Sequence, residues 1–354
     1  MESNNHQLSL GHGSSPLTPP LGRGRVNVPI PKVTLVQTAA SVREDAIALP
    51  EEVLRKPAKV VPVEAAPLPP DQVAHHAHVK TIMSLASQAS ETRTPEEAAR
   101  LVPVIEAAGI SLWEVALAMP KTPHCLRVFE SLGVKPEVLQ ALWKAAPLQT
   151  MDGLVLRGQL RLQGITNVSL PISRADGGLI LWGSSDIAFP CMTHCGGSIQ
   201  AERTVRVRMP ALQVAEGVIH ATDSEGMCLD NLVRAKGLHA CGAKSFFAPK
   251  LGEIEGNLWL GETDDAFFGN LRHIRGDVSI RGTNRMPIPM VEEIGGNVAF
   301  SIMAELASPM LKRIGGSLVS HYVNNLSLGA LEHVEKGRWL RHSNLYAPLL
   351  QPAV

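Results

Sequence analysis

Residues Pro309-Met310-Leu311-Lys312-Arg313-Ile314-Gly315-Gly316-Ser317-Leu318 carry the pattern that decides the fold, because it returns at a near-constant interval along two-thirds of the chain. Glycines stand at Gly158, Gly178, Gly197, Gly217, Gly237, Gly256, Gly276, Gly296 and Gly316, each 19 or 20 residues after the last. A degenerate copy closes the series at Lys336-Gly337. Proline stands seven places before the glycine at Pro171, Pro190, Pro210, Pro249, Pro289 and Pro309.

The apolar residues of each unit fall into three groups. Two and four places after the glycine come pairs such as Val278 and Ile280, the alternation of a half-buried strand. Five and two places before it come pairs such as Leu271 and Ile274, and ten to twelve places after it come pairs such as Val207 and Met209. One coil points these groups inward but cannot cover them, so coils must stack. About ten coils at ~4.8 Å each give a parallel sheet ~45 to 50 Å long. The glycine is expected at a tight bend, required either by crowding from the next coil or by a positive φ. Under this count Cys195 and Cys241 fall on inward positions.

The segment Ile274-Arg275-Gly276-Asp277-Val278-Ser279-Ile280-Arg281-Gly282-Thr283 resembles the bacterial leucine-rich-repeat class with consensus Leu-Pro-x-x-Leu-x-Val-x-Gly-x-Leu-x-Leu. The resemblance covers about 190 residues and implies a protein-binding solenoid. The place seven after the glycine holds Thr204, Ser224, Lys244, Thr263, Thr283, Met303 and Val323, so the family's asparagine ladder is absent. A single-stranded right-handed helix of the receptor L-domain kind is the other relative. The ubiquitin-ligase domain that follows the repeats in some members is not expected.

Upstream, residues 71–147 show helical spacing. A first helix carries Val79, Ile82, Met83 and Leu85 on one face. Thr94-Pro95-Glu96-Glu97 opens a second with Leu101, Val102, Val104 and Ile105, ended by Gly109. Ser111–Met119, Pro123–Leu132 and Pro136–Ala145 add three more, for four to five helices with Trp113 and Trp143 in the core. Residues 1–70, rich in Ser, Pro, Gly and Asn at the start, read as disordered, with Lys32–Gln37 and Lys59–Val63 as strand-forming stretches. The expected architecture is therefore α+β: a helical domain at 71–147, a leucine-rich-repeat-like solenoid at 148–342 and a tail at 343–354.

The 33 basic and 33 acidic residues balance, which argues against nucleic acid as a partner. Five cysteines do not make a disulfide framework, and no apolar run is long enough to span a membrane. Cys191-x-x-His194-Cys195 has the spacing of metal or thiol chemistry but lacks further ligands, so buried thiols are expected, with no metal and no cofactor. His75, His76 and His78 lie on the first helix with no matching carboxylate apparent, and read as solvated. No phosphate-binding, dinucleotide-binding or hydrolase motif is present.

Binding is expected on the outward strand positions one, three and five after each glycine. The third position reads Gln200, His220, Ala240, Trp259, Ser279, Ala299, Val319, and the fifth Glu202, Thr222, Gly242, Gly261, Arg281, Ser301, His321. Trp259 beside Arg281 has hot-spot composition, with Ser279, His220 and His321 completing the candidate face. Trp259 is alternatively covered by the helical domain or the N-terminal arm. The carboxylate-poor N-terminus resembles the export signal of bacterial needle-type secretion, which implies an effector acting on a host protein. An intracellular bacterial adaptor and an enzyme with an unrecognised site are the other readings, and oligomeric state is open.

Overall fold

The computed structural model describes residues 70–150, 153–263, 265–283 and 288–350. The expectations for residues 1–69, including both strand-forming stretches, and for 351–354 lie outside these. The described residues belong to one compact unit, α+β as expected: a small helical region followed by a parallel β-solenoid of about nine coils.

Six helices, α1 (Pro70–Glu91), α2 (Pro95–Ala99), α3 (Val102–Ala107), α4 (Leu112–Ala118), α5 (Pro123–Ser131) and α6 (Pro136–Lys144), form the helical region. The single helix expected from Thr94 to its end at Gly109 is split into α2 and α3 because Pro103 has no N–H to continue it. Capping boxes start α2 at Thr94 with Glu97 and α4 at Ser111 with Glu114. Ile82, Leu85, Ala86 and Ala89 face inward from α1, whereas Met83 is exposed. Val104 is exposed as well.

The helices share a core of their own, centred on Ile105, Val115, Phe129 and Leu139. Val138 and Leu142 of α6, with Ala145 just after it, belong instead to the solenoid core, packed with Leu156 and Leu160. The helical region thus caps the first coil, whose apolar edge would otherwise meet water.

Each coil has three sides. A two-residue strand before the glycine (Glu253–Ile254, His273–Ile274, Glu293–Ile294) and a strand after it (Leu258–Gly261, Val278–Arg281) belong to a 20-stranded sheet. The third side, from Thr166–Ser169 to Ala266–Phe267, is a separate six-stranded parallel sheet. Inward residues lie in register from coil to coil: Leu238, Leu258, Val278, Val298 and Leu318 form one column, and Ala235, Ile254, Ile274, Ile294 and Ile314 another. All are buried. Each Val, Leu or Ile of these columns is worth ~1.5–3 kcal/mol before the entropy of ordering the chain.

Close approach, and not a positive φ, explains the repeat glycines. A β-carbon on Gly276 would stand 2.5 Å from the Gly256 carbonyl carbon, and one on Gly296 2.6 Å from that of Gly276. The backbones meet here through bonds such as Gly276 N–H to Gly256 O at 3.1 Å. Two members of the counted series are displaced by one. Gly177 rather than Gly178 stacks on Gly158, since Leu179 pairs with Leu160. Lys236 takes the place assigned to Gly237, because an irregularity between Ala215 and Val218 absorbs the missing residue and pairs Val218 with Gly237.

That shift corrects three assignments. Ala240, expected outward, is inward and buried; His239 takes its outward place opposite Trp259. Cys241, expected inward, is exposed and pairs with Gly261 in the fifth-position column. Gly242 leaves that column for the corner that follows, with φ +66°. The corner holds a left-handed residue on coil after coil, among them Gly164, Arg203, Asp223, Glu262, Ile302, Tyr322 and His342.

The place where leucine-rich repeats carry asparagine holds a buried hydroxyl on several coils. Thr204 and Ser224 each donate at 2.8 Å to the carbonyl three residues back, Ala201 and Ala221. A separate polar ladder runs just after the glycine: Asn257 accepts from Asp277 N–H at 2.8 Å, Asp277 from Asn297 N–H at 2.6 Å, and Asn297 from Ser317 N–H at 3.0 Å. At the far end Arg338 occupies the inward column after Leu318, a charge that discourages further stacking.

Candidate functional site

The strand after each glycine turns alternate residues outward, and parallel register lines them up. His220 pairs with His239, His239 with Trp259, Trp259 with Ser279 and Ser279 with Ala299. The beside-lying column runs Cys241, Gly261, Arg281, Ser301, His321. All five residues expected to bind, Trp259, Arg281, Ser279, His220 and His321, therefore share one sheet face. Trp259, His220 and Ser279 stand in the first column and Arg281 and His321 in the second.

His239 is the residue that glycine counting misses. Its ring stacks on Trp259 with centroids 4.2 Å apart and planes 7° from parallel, and His220 meets it edge-on at 4.9 Å. Burial, with the neighbouring His220, holds the His239 pKa below its ordinary value, so the stack on Trp259 is between neutral rings at pH 7. The alternation Leu238-His239-Ala240-Cys241 was the available signal, since only one phase buries Leu238 and Ala240.

Trp259 remains 44% exposed, so it is not covered by the helical region. One face of the indole is taken by His239. The coils beyond the other face present only Ser279 and Ala299, too short to fill the space. The result is a shelf with Trp259 as its wall, Ser279 and Ala299 as its floor, and exposed Arg281 in the column beside it. Such a shelf offers an aromatic surface, the Ser279 hydroxyl and a guanidinium to a partner.

Cys191, His194 and Cys195 do not converge. Cys191 is exposed, while Cys195 is fully buried, its thiol donating to Gly197 O at 3.3 Å. Burial pushes the Cys195 thiol up to about 11, far from an activated thiolate. His194 lies on the opposite side of the same strand, 3.5 Å from Glu216. Cys125 is likewise buried and raised to about 11.

The helix histidines have a partner that sequence reading did not find. His78 Nε2 lies 3.3 Å from Glu114 Oε1, and that carboxylate also accepts from Gln149 Nε2 at 3.3 Å and from Ser111 N–H at 2.8 Å. With His75 they line a 580 Å³ cleft between α1, α4 and the first coil. No three His, Cys, Asp or Glu side chains stand at metal-ligating spacing among the described residues. Among the same residues no single helix is long and apolar enough to cross a membrane.

Comparison of the chain with known protein families, with curated proteins and with solved structures gave no match.

Proposed function

We propose that this protein is a protein-binding repeat protein of the leucine-rich-repeat kind, and that the His220–His239–Trp259 column with Arg281 is its recognition surface. The observation that carries this reading is the exposed indole of Trp259, stacked on one side and open on the other over Ser279 and Ala299. An exposed, rigidly held Trp beside Arg is the composition of an interface hot spot. A neutral His backing the ring fixes its rotamer at little entropic cost on binding.

The biological setting we propose is a bacterial effector delivered to a host cell by a signal-peptide-independent route, acting on a host protein. Its support is the composition of residues 1–24 and the resemblance of the repeats. An intracellular bacterial adaptor would use the same face on a different partner. Pull-down from eukaryotic and bacterial lysates with the full chain, beside a Trp259→Ala, Arg281→Ala version of unchanged circular dichroism, tests the binding reading. A partner retained by the first and lost by the second is the expected result; a partner held equally by both places recognition elsewhere. A reporter fused to residues 1–70 and assayed for needle-dependent export separates effector from adaptor.

A further inference from the structure

On the solenoid, several cations are met by carboxylates of neighbouring coils. Asp186 takes Arg206, Glu292 takes both Arg272 and Lys312, and Glu335 takes Arg313, all across neighbouring coils and within 3.1 Å. Two arginines of the helical region line a cavity in which no carboxylate takes part. Arg93, in the link between α1 and α2, and Arg127, on α5, have no carboxylate within ion-pair distance among the described residues. Both line one cavity of 280 Å³.

The sequence builds this cavity from two sides. His124, Arg127, Val128 and Ser131 recur at the helical interval and so form one stripe of α5, with buried Val128 on the core side. Facing them, Thr94 is extended (φ −124°, ψ 155°) and brings Arg93 to the other wall. The Thr94 hydroxyl oxygen accepts from Glu97 N–H at 3.2 Å, which leaves its proton free to donate. Glu97 is turned away onto the backbone N–H groups of Arg93 and Thr94, at 2.7 and 3.3 Å, and does not line the cavity. His124 Nε2 is 3.2 Å from Ser90 O, which fixes the ring with an N–H on that nitrogen. The Ser131 hydroxyl is spent on Val128 O at 2.6 Å.

We propose that this cavity binds a phosphoryl-type oxyanion, clamped by the guanidinium groups of Arg93 and Arg127 with the Thr94 hydroxyl as a third donor. Both arginines line the cavity and no carboxylate does, so an oxyanion there can accept forked, charge-assisted hydrogen bonds from two guanidinium groups. The site is independent of the Trp259 shelf and stands whether or not that shelf binds a protein.

Isothermal titration of the full chain at low ionic strength with inorganic phosphate, O-phosphoserine and acetate tests it. Saturable phosphate binding is expected, weaker by about tenfold or more in Arg93→Gln and in Arg127→Gln. Arg127→Lys falls between, because a point charge lacks the fork, and Trp259→Ala binds phosphate as the parent does. Acetate binds more weakly than phosphate. O-phosphoserine binding at least as tight as phosphate identifies a phosphorylated residue as the source, and phosphate alone identifies the free ion. Both arginines are exposed, so the variants keep the fold, which circular dichroism verifies. Absence of saturable binding for both phosphorylated probes, or unchanged phosphate affinity in both glutamine variants, overturns the proposal.

Discussion

Replacing Gly276 by alanine perturbs the coil stack where two backbones meet. The new β-carbon would stand 2.5 Å from the Gly256 carbonyl carbon and 2.6 Å from its oxygen, where ordinary contact begins at 3.4 Å. Neither atom is a side chain that can swing aside, so the two coils must part by most of 1 Å locally. The backbone bonds from Gly276 N–H to Gly256 O (3.1 Å) and from Gly296 N–H to Gly276 O (3.0 Å) flank the clash and weaken together. Overpacking strain of ~1–3 kcal/mol and ~1 kcal/mol for each of the two weakened bonds put the loss at about 3–5 kcal/mol. Gly237 and Gly329 serve as internal controls. A β-carbon on Gly237 meets Asn257 O only at 3.3 Å, and one on Gly329 meets nothing within 4 Å. Gly237→Ala should cost about 1 kcal/mol or less, and Gly329→Ala should be neutral or stabilising by ~0.5 kcal/mol. Urea midpoints followed by circular dichroism, with slopes compared to detect uncoupled unfolding of coils, rank the three variants. Gly276→Ala no more costly than Gly237→Ala would refute the close-approach explanation.

Other consequences are as direct. Ile302 is β-branched, half-exposed and held at φ +57°, so Ile302→Asn should raise stability by about 1 kcal/mol, measured by the same denaturation. Thr204→Val keeps the shape but removes the donor to Ala201 O, and should cost ~1 kcal/mol. Iodoacetamide at pH 8 should modify Cys191 and Cys241 in the native state, while Cys125 and Cys195, buried and raised to about 11, react only on unfolding; peptide mapping by mass spectrometry reads this. Lys312 and Arg272 hold the Glu292 carboxyl below its ordinary value. Its contribution is then present above the unfolded carboxylate pKa and lost as pH falls through the folded one, so Glu292→Gln should flatten the acid limb of the stability profile.

The stacked architecture was legible because a 20-residue period and three apolar groups per unit leave a chain no other way to cover its core. The inward columns at Val278, Ile280, Ile274 and Ile294 follow from alternation alone. Register was less legible. Counting from glycine assumes that a 19-residue unit loses its residue elsewhere than at the bend; at Lys236 the loss falls on the bend itself, which hid His239 and placed Cys241 on the wrong side. The His78–Glu114 pair joins residues 36 positions apart, and the Arg93–Arg127 cavity joins α5 to a helix link; neither leaves a local pattern in sequence. The +7 hydroxyls read as a missing asparagine ladder, although Thr204 and Ser224 satisfy the corner carbonyls themselves.

The register that sets His239 against Trp259 underlies both the core assignment and the recognition surface, and a disulfide scan measures it. Opposed residues on adjacent parallel strands lie ~4.8 Å apart, within the ~4.4–6.8 Å that a disulfide spans. Under mild oxidation the His239→Cys, Trp259→Cys double variant should form a 239–259 disulfide seen by peptide mapping, while the Ala240→Cys, Trp259→Cys variant stays reduced because position 240 faces the core. A 240–259 disulfide with 239–259 reduced would contradict the register and with it the surface built on His239 and Trp259.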